Sequence, residues 1–207
     1  MAGGMSSDRM NSGAGPMAAA RNPSEDVART DPTGALVGGF SAGVVDTTGR
    51  LKPADQNWLE EMTTKAAAVL GIRGLVAARV LADTDMAQAH EEFCGVPGTT
   101  DVITFDLTDP EEGCAAKKMV EADLLLCLDE AERQGKNRGH DARRELLLYI
   151  LHGVLHCLGH DDHDEEAFAK MHAEEDRVLQ ALGIGTTFAT DAAAGPPATP
   201  RKGRGAT

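Results

Sequence analysis

The stretch HGVLHCLGHDDH, residues 152–163, holds four of the chain's seven histidines together with two aspartates. Imidazole is the side chain that metals most often take as a ligand, and carboxylates join it in many of the same sites. His152 and His156 stand four residues apart, so on a helix both rings project from one face within reach of a single ion. Gly159 can take the left-handed conformation that ends a helix. The chain beyond it can then return a third donor from Asp161, Asp162 or His163. Three protein donors plus one open position is the arrangement of a catalytic zinc, which brings the pKa of its water down to ~7. One Zn2+ per chain is therefore expected. The residue after the first histidine narrows the reaction class. A zinc peptidase of the H-E-x-x-H pattern carries its general base there. This chain has Gly153, which can do no acid–base work. A general base typically contributes ~10²–10⁴-fold, so a hydrolysis that leans on the ion itself, such as phosphodiester cleavage, fits these residues better. No side chain stands out as a general base, and the catalytic residues stay unassigned.

Such a pair needs a helix to carry it. DARRELLLYILHGVLHCLG supplies one, with Leu147, Ile150, Leu151, Val154, Leu155 and Leu158 at helical spacing, Asp141 as cap and Gly159 as stop. Around it, SAGVVD is a short apolar run closed by the turn-like TTGR, and GLVAARVLA, TTDVITFDLT and VEADLLLCLD read as strands. NWLEEMTTKAAAVLGI reads as a helix, as do DTDMAQAHEEF (opened by an Asp cap), EAERQGK, and a last segment over roughly Glu165 to Leu182. The order predicts an α+β fold, a small mixed β-sheet packed with several helices. Composition bounds it further. Residues 1–40 and 185–207 are small, polar and without period, and are expected to be disordered tails around one domain at 41–184. The formal net charge of −13 argues against generic binding of nucleic acid or an anionic membrane through bulk charge, while leaving room for a local basic groove; DNA is not an expected partner. No apolar run has a membrane helix's ~18 residues, and neither a basic patch nor an apolar stretch suggests a secretory signal at the start. Four cysteines without a CxxC pair fit reduced thiols, hence a cytoplasmic protein.

HGVLHCLGHDDH resembles the H-G-x-L-H-L-x-G-x-D-H signature of the YbeY-type endoribonucleases, the rRNA maturation factors. VVDTTGRL, TTDVITF, EADLLLCLDEAERQ and RRELLLYILHGVLH resemble further segments of that family in the right order, covering most of residues 41–182. The resemblance implies a zinc held by three histidines, cleavage of single-stranded RNA, and a place in ribosomal RNA maturation and ribosome quality control, with the ribosome as partner. Two departures stand out. The family's third histidine falls six residues after the second, where this chain has Asp162, followed by His163. One extra loop residue restores an all-imidazole site at well under ~1 kcal/mol of closure entropy. His152, His156 and His163 are thus the expected ligands, with Asp162 the alternative. The family's Phe-Arg ahead of the Thr-Asp-Val strand is Phe93-Cys94 here, which removes a basic residue near the metal.

Two rivals remain from the residues alone: a metallopeptidase, and a non-catalytic ribosome-associated factor with a structural zinc. Arg133, Lys136, Arg138, Arg143 and Arg144 lead into the ligand helix and either guide an RNA backbone or form a solvated face. Glu145, seven residues before His152, is either a partner of that ring or a surface carboxylate. Cys157 lies off the histidine face and is expected to pack in the core. His90, His140 and His172 lack ligand spacing and read as ordinary, and the last helix reads as amphipathic with no chemistry of its own.

Overall fold

A computed structural model of the 207-residue chain describes residues 39–109 and 118–188. The tails expected over 1–40 and 185–207 lie outside those residues except at their inner edges, and both edges pack. Phe40 is buried in the first strand. Arg144 donates to the carbonyls of Gly185 and Thr186, and the Thr187 amide donates to Asp176.

The elements run β1 (Phe40–Asp46), α1 (Pro53–Leu70), β2 (Arg73–Leu81), α2 (Asp83–Cys94), β3 (Val102–Asp106), β4 (Met119–Cys127), α3 (Leu128–Arg138), α4 (Ala142–Cys157) and α5 (Glu165–Ala181). The sheet has the order β1-β2-β4-β3, with β1, β2 and β4 parallel and β3 antiparallel to β4. This is the expected α+β fold with a mixed sheet. β4 is buried on both faces, which is why its LLLC run is continuous rather than alternating. Leu124 and Leu126 face the main core under α1, α4 and α5, whereas Leu125 and Cys127 face a smaller core with Met86 and Ala89 of α2.

α4 is the central helix. Every residue from Glu145 to Leu151 is buried, so its sequence is apolar nearly all round. Asp141 caps it as expected, its carboxylate accepting the Arg144 amide at 3.1 Å. α2 departs from expectation: Ala82, with no polar side chain, holds the cap position. The Asp83 amide is taken by Asp129 from α3 at 2.8 Å. Asp83 itself pairs with Arg133 at 2.6 Å, and that guanidinium holds its carboxyl down at about 2.

α4 reaches the sheet through Gly153. A methyl group there would come within 2.7 Å of both the Leu124 side chain and Thr104 Oγ1. The glycine is therefore required by close approach of helix to sheet, and the position where a peptidase carries its base has no room for one. Gly153→Glu is expected to overpack this contact and bury a carboxylate, costing more than about 3 kcal/mol. Thermal unfolding measures it, and a variant that melts with the wild type would refute the steric argument.

Candidate metal centre

His152 and His156 lie one turn apart near the end of α4, with their rings edge to face and centroids 4.6 Å apart. Their Nε2 atoms face each other at 3.0 Å. Each ring is fixed through its other nitrogen. His156 Nδ1 is 3.1 Å from the His160 carbonyl oxygen, brought back by the left-handed Gly159 at φ +86°. His152 Nδ1 is 2.9 Å from Oε1 of Glu175 on α5. A carbonyl and a carboxylate only accept, so both rings hold their proton on Nδ1. In the neutral rings two bare Nε2 lone pairs then confront each other. Either a shared extra proton or a cation relieves that contact. Asp162 Oδ2, 3.7 Å from His152 Nε2, adds the negative charge that favours a cation. Among the described residues, His152, His156 and Asp162 gather one donor atom each within 4.8 Å of one another. Nitrogens held at ~2.0–2.1 Å by a tetrahedral zinc stand roughly 3.3 Å apart, so the donor set fits such an ion.

His163, expected as a third ligand, is not gathered with the pair. Its side chain is 85% exposed and its Nδ1 contacts Asp161 Oδ1. The same oxygen accepts the amides of Asp162 and His163, a turn that faces the His163 ring away from the pair while Asp162 points in. Asp161, Asp162 and His163 form a second loose group of potential donors, sharing Asp162 with the first.

Glu175 is the residue that spacing alone did not reveal. It is fully buried and joins two rings, with Oε1 on His152 and Oε2 2.6 Å from His172 Nδ1. Burial pushes its pKa up, but the His152 and His172 hydrogen bonds outweigh that and hold it below the usual carboxylate range. Burial likewise lowers His152, yet the Glu175 carboxylate more than reverses it, and His152 stands above the ordinary imidazole value. A carboxylate behind a ligand histidine fixes its tautomer and orientation. Glu145 takes no such role. Two helical turns, ~11 Å, separate it from His152. It is neither surface nor partner to that ring, but fully buried against Arg138 at 3.0 Å. Cys157 packs against the main core, as expected, and burial raises its thiol to about 12.

The histidine pair separates two openings. One cleft of about 580 Å³ is lined by His152, Asp162, Arg138, Tyr149 and Phe168, among others. A second of about 270 Å³ lies toward β3 and is lined by His90, Cys94, Asp101 and Thr104 as well as both histidines. Cys94 is exposed there. The basic stretch resolves residue by residue. Arg133 is engaged by Asp83 and Glu130, Arg143 by Asp55, Asp141 and the Trp58 ring, and Arg144 by the turn at 185–187. Of the five cations, Arg138 alone lines the larger cleft.

A family model described as Endoribonuclease YbeY matches residues 46–183. The Endoribonuclease YbeY of Carboxydothermus hydrogenoformans is 32% identical over 114 residues, covering 55% of this chain and 76% of that protein. Those of Bacillus pumilus and Bacillus subtilis are each 28% identical, over 149 and 148 residues, covering 68% of this chain and 94% of theirs. The matched span runs from the end of β1 past α5 and includes every donor gathered at the pair: the chain belongs to the YbeY endoribonuclease family.

Proposed function

We propose that this protein is a zinc-dependent endoribonuclease that cuts single-stranded RNA, ribosomal RNA in particular, in the maturation and quality control of ribosomes. The observation that carries the metal reading is the pair of Nε2 atoms facing at 3.0 Å while both Nδ1 atoms are tied to acceptors. His152 and His156 would hold the ion. Asp162 would complete the set in the geometry described, with His163 the alternative one residue on. The bound zinc would supply a Lewis acid for a phosphoryl oxygen and a means of deprotonating water near neutral pH. Glu175 keeps the His152 lone pair aimed. Asp162 also lines the larger cleft, which would take the strand. The family membership supports the RNA substrate. Ribosome association and a cytoplasmic location follow from that role; among the described residues no helix is long and apolar enough to cross a membrane.

The test is to incubate the zinc-loaded full-length protein with single-stranded RNA, double-stranded RNA and casein. Chelated protein and His152→Ala prepared in parallel serve as controls. Cleavage of single-stranded RNA only, lost in both controls, is the expected result. RNA cleavage that persists in His152→Ala would mark a contaminant, and casein hydrolysis would favour the peptidase. The buried Gly153 contact argues against the latter.

A further inference from the structure

The larger cleft has an aromatic wall that the proposed chemistry leaves unused. Phe168 on α5 is 50% exposed and fronts the cleft. Behind it the His172 ring meets it edge to face, with centroids 4.0 Å apart. His172 is stacked in turn on Phe188, at 3.6 Å and 20°, and tied by Nδ1 to Glu175. Phe168 is thus an open ring on a braced support. A single exposed phenylalanine needs no explanation in itself, but this one shares its cleft with His152 and Asp162.

Two further groups define what would fit against it. Arg138 spends Nη1 on the Glu145 carboxylate and its guanidinium lies over the Phe188 ring, 5.4 Å from the centroid, while its Nη2 has no hydrogen-bond partner among the described residues. Tyr149, only 4% exposed, lines the same cleft, and its hydroxyl has no hydrogen-bond partner among the described residues. The carboxylates lining the cleft are engaged: Glu130 by Arg133 and Gln134, Asp101 by the Thr100 hydroxyl and the Val102 amide, Glu175 by His152 and His172, while Asp162 faces the histidine pair. The matching occupant has a flat apolar face, a hydrogen-bonding edge and a negative charge. The space of about 580 Å³ lies within the range of small-ligand sites.

We propose that Phe168 is a stacking platform for one unpaired nucleobase of the RNA, with Arg138 meeting a phosphate beside it. The inference rests on the endoribonuclease reading and deepens it. A base held in a duplex has both faces covered by its neighbours and cannot lie on the ring, so the platform selects single strands. It also supplies, through Arg138, a cation in a chain whose Cys94 stands where the family signature has arginine.

The experiment measures binding rather than cleavage, using the full-length chain in chelator with single-stranded RNA oligonucleotides. A single abasic site is walked along the strand, and affinity is read by anisotropy for the wild type, Phe168→Ala and Phe168→Tyr. The wild type is expected to lose about 5- to 150-fold at one or two positions, the range of stacking one base on an aromatic ring. Phe168→Ala should bind the intact strand weaker by a similar factor and be indifferent to abasic sites at those positions. Phe168→Tyr should restore the wild-type pattern. A flat abasic scan in the wild type, or a Phe168→Ala variant with unchanged scan, overturns the platform even if the protein cleaves RNA. Conversely, the expected scan from a protein that cuts no RNA would sustain the platform and refute the nuclease.

Discussion

Replacing Glu175 with alanine is expected to weaken zinc binding ~10–100-fold, the usual effect of removing a group that orients a ligand histidine. It should also destabilise the metal-free protein. Two largely buried imidazoles, His152 and His172, lose the acceptor that their Nδ1 atoms have among the described residues, and an unsatisfied buried donor costs ~1–3 kcal/mol. The combined loss is roughly 2–6 kcal/mol, read by urea unfolding in chelator, with zinc affinity read by competition against a chromophoric chelator. Glu175→Gln keeps the volume and one acceptor, so its stability should fall between the two. The pH dependence separates orientation from packing. A proton on Nε2 excludes the ion, and Glu175 holds His152 above its reference value of 6.5. Wild-type zinc affinity should therefore begin to fall on acidification while the pH is still above 6.5. In Glu175→Gln the support for the imidazolium is weaker, and the fall should begin at lower pH. A folded Glu175→Ala protein with wild-type zinc affinity would refute the role assigned here.

The second large effect distinguishes the two third-ligand candidates. Asp162→Ala is expected to lower zinc affinity by more than the ~100-fold upper end for a supporting group. His163→Ala, whose ring is 85% exposed and turned to Asp161, should change it little. His152→Ala and His156→Ala should abolish stoichiometric binding. The opposite ranking, with metal lost in His163→Ala and kept in Asp162→Ala, would mean that the loop turns by one residue around the ion and that the all-imidazole set is the working one. Metal analysis of untagged protein after zinc reconstitution and dialysis reads all four variants, with about one zinc per wild-type chain as the reference.

What could be read in the chain beforehand follows sequence distance. The i,i+4 histidines, the Asp141 cap and the Gly159 stop are local features, and the helix that carries them is where the spacing puts it. The strands were legible as short runs rich in β-branched residues or leucine, set apart from the longer helical segments by their length and by the turn and cap residues at their ends. Glu175 was not, because it sits among acidic neighbours on α5 and only the fold shows that it is buried while Glu174 is not. Its partner His152 is 23 residues away. His172 lacks any ligand at metal spacing, and its contacts to Phe168, Glu175 and Phe188 exist only when α5 and the segment after it fold onto α4. Phe188 fell in a stretch whose composition reads as tail, yet Arg144 and Asp176 anchor the residues beside it. Glu145 shows the converse. Its spacing left it either a partner for His152 or a surface carboxylate, but a regular α4 carries it two turns away and the fold buries it.

The three gathered donors come from one short stretch, residues 152–162, while Glu175 joins them only through tertiary structure. That separation shapes the linkage between folding and metal. An unfolded chain retains two histidines and an aspartate close together, so it remains a chelator in its own right. Zinc would then stabilise the native state only by the ratio of its affinities for the two forms, which is smaller than the native affinity alone implies. A chain not yet folded could hold the ion before α5 docks, and the docking of α5, which brings Glu175 to His152, would then tighten a complex that already exists.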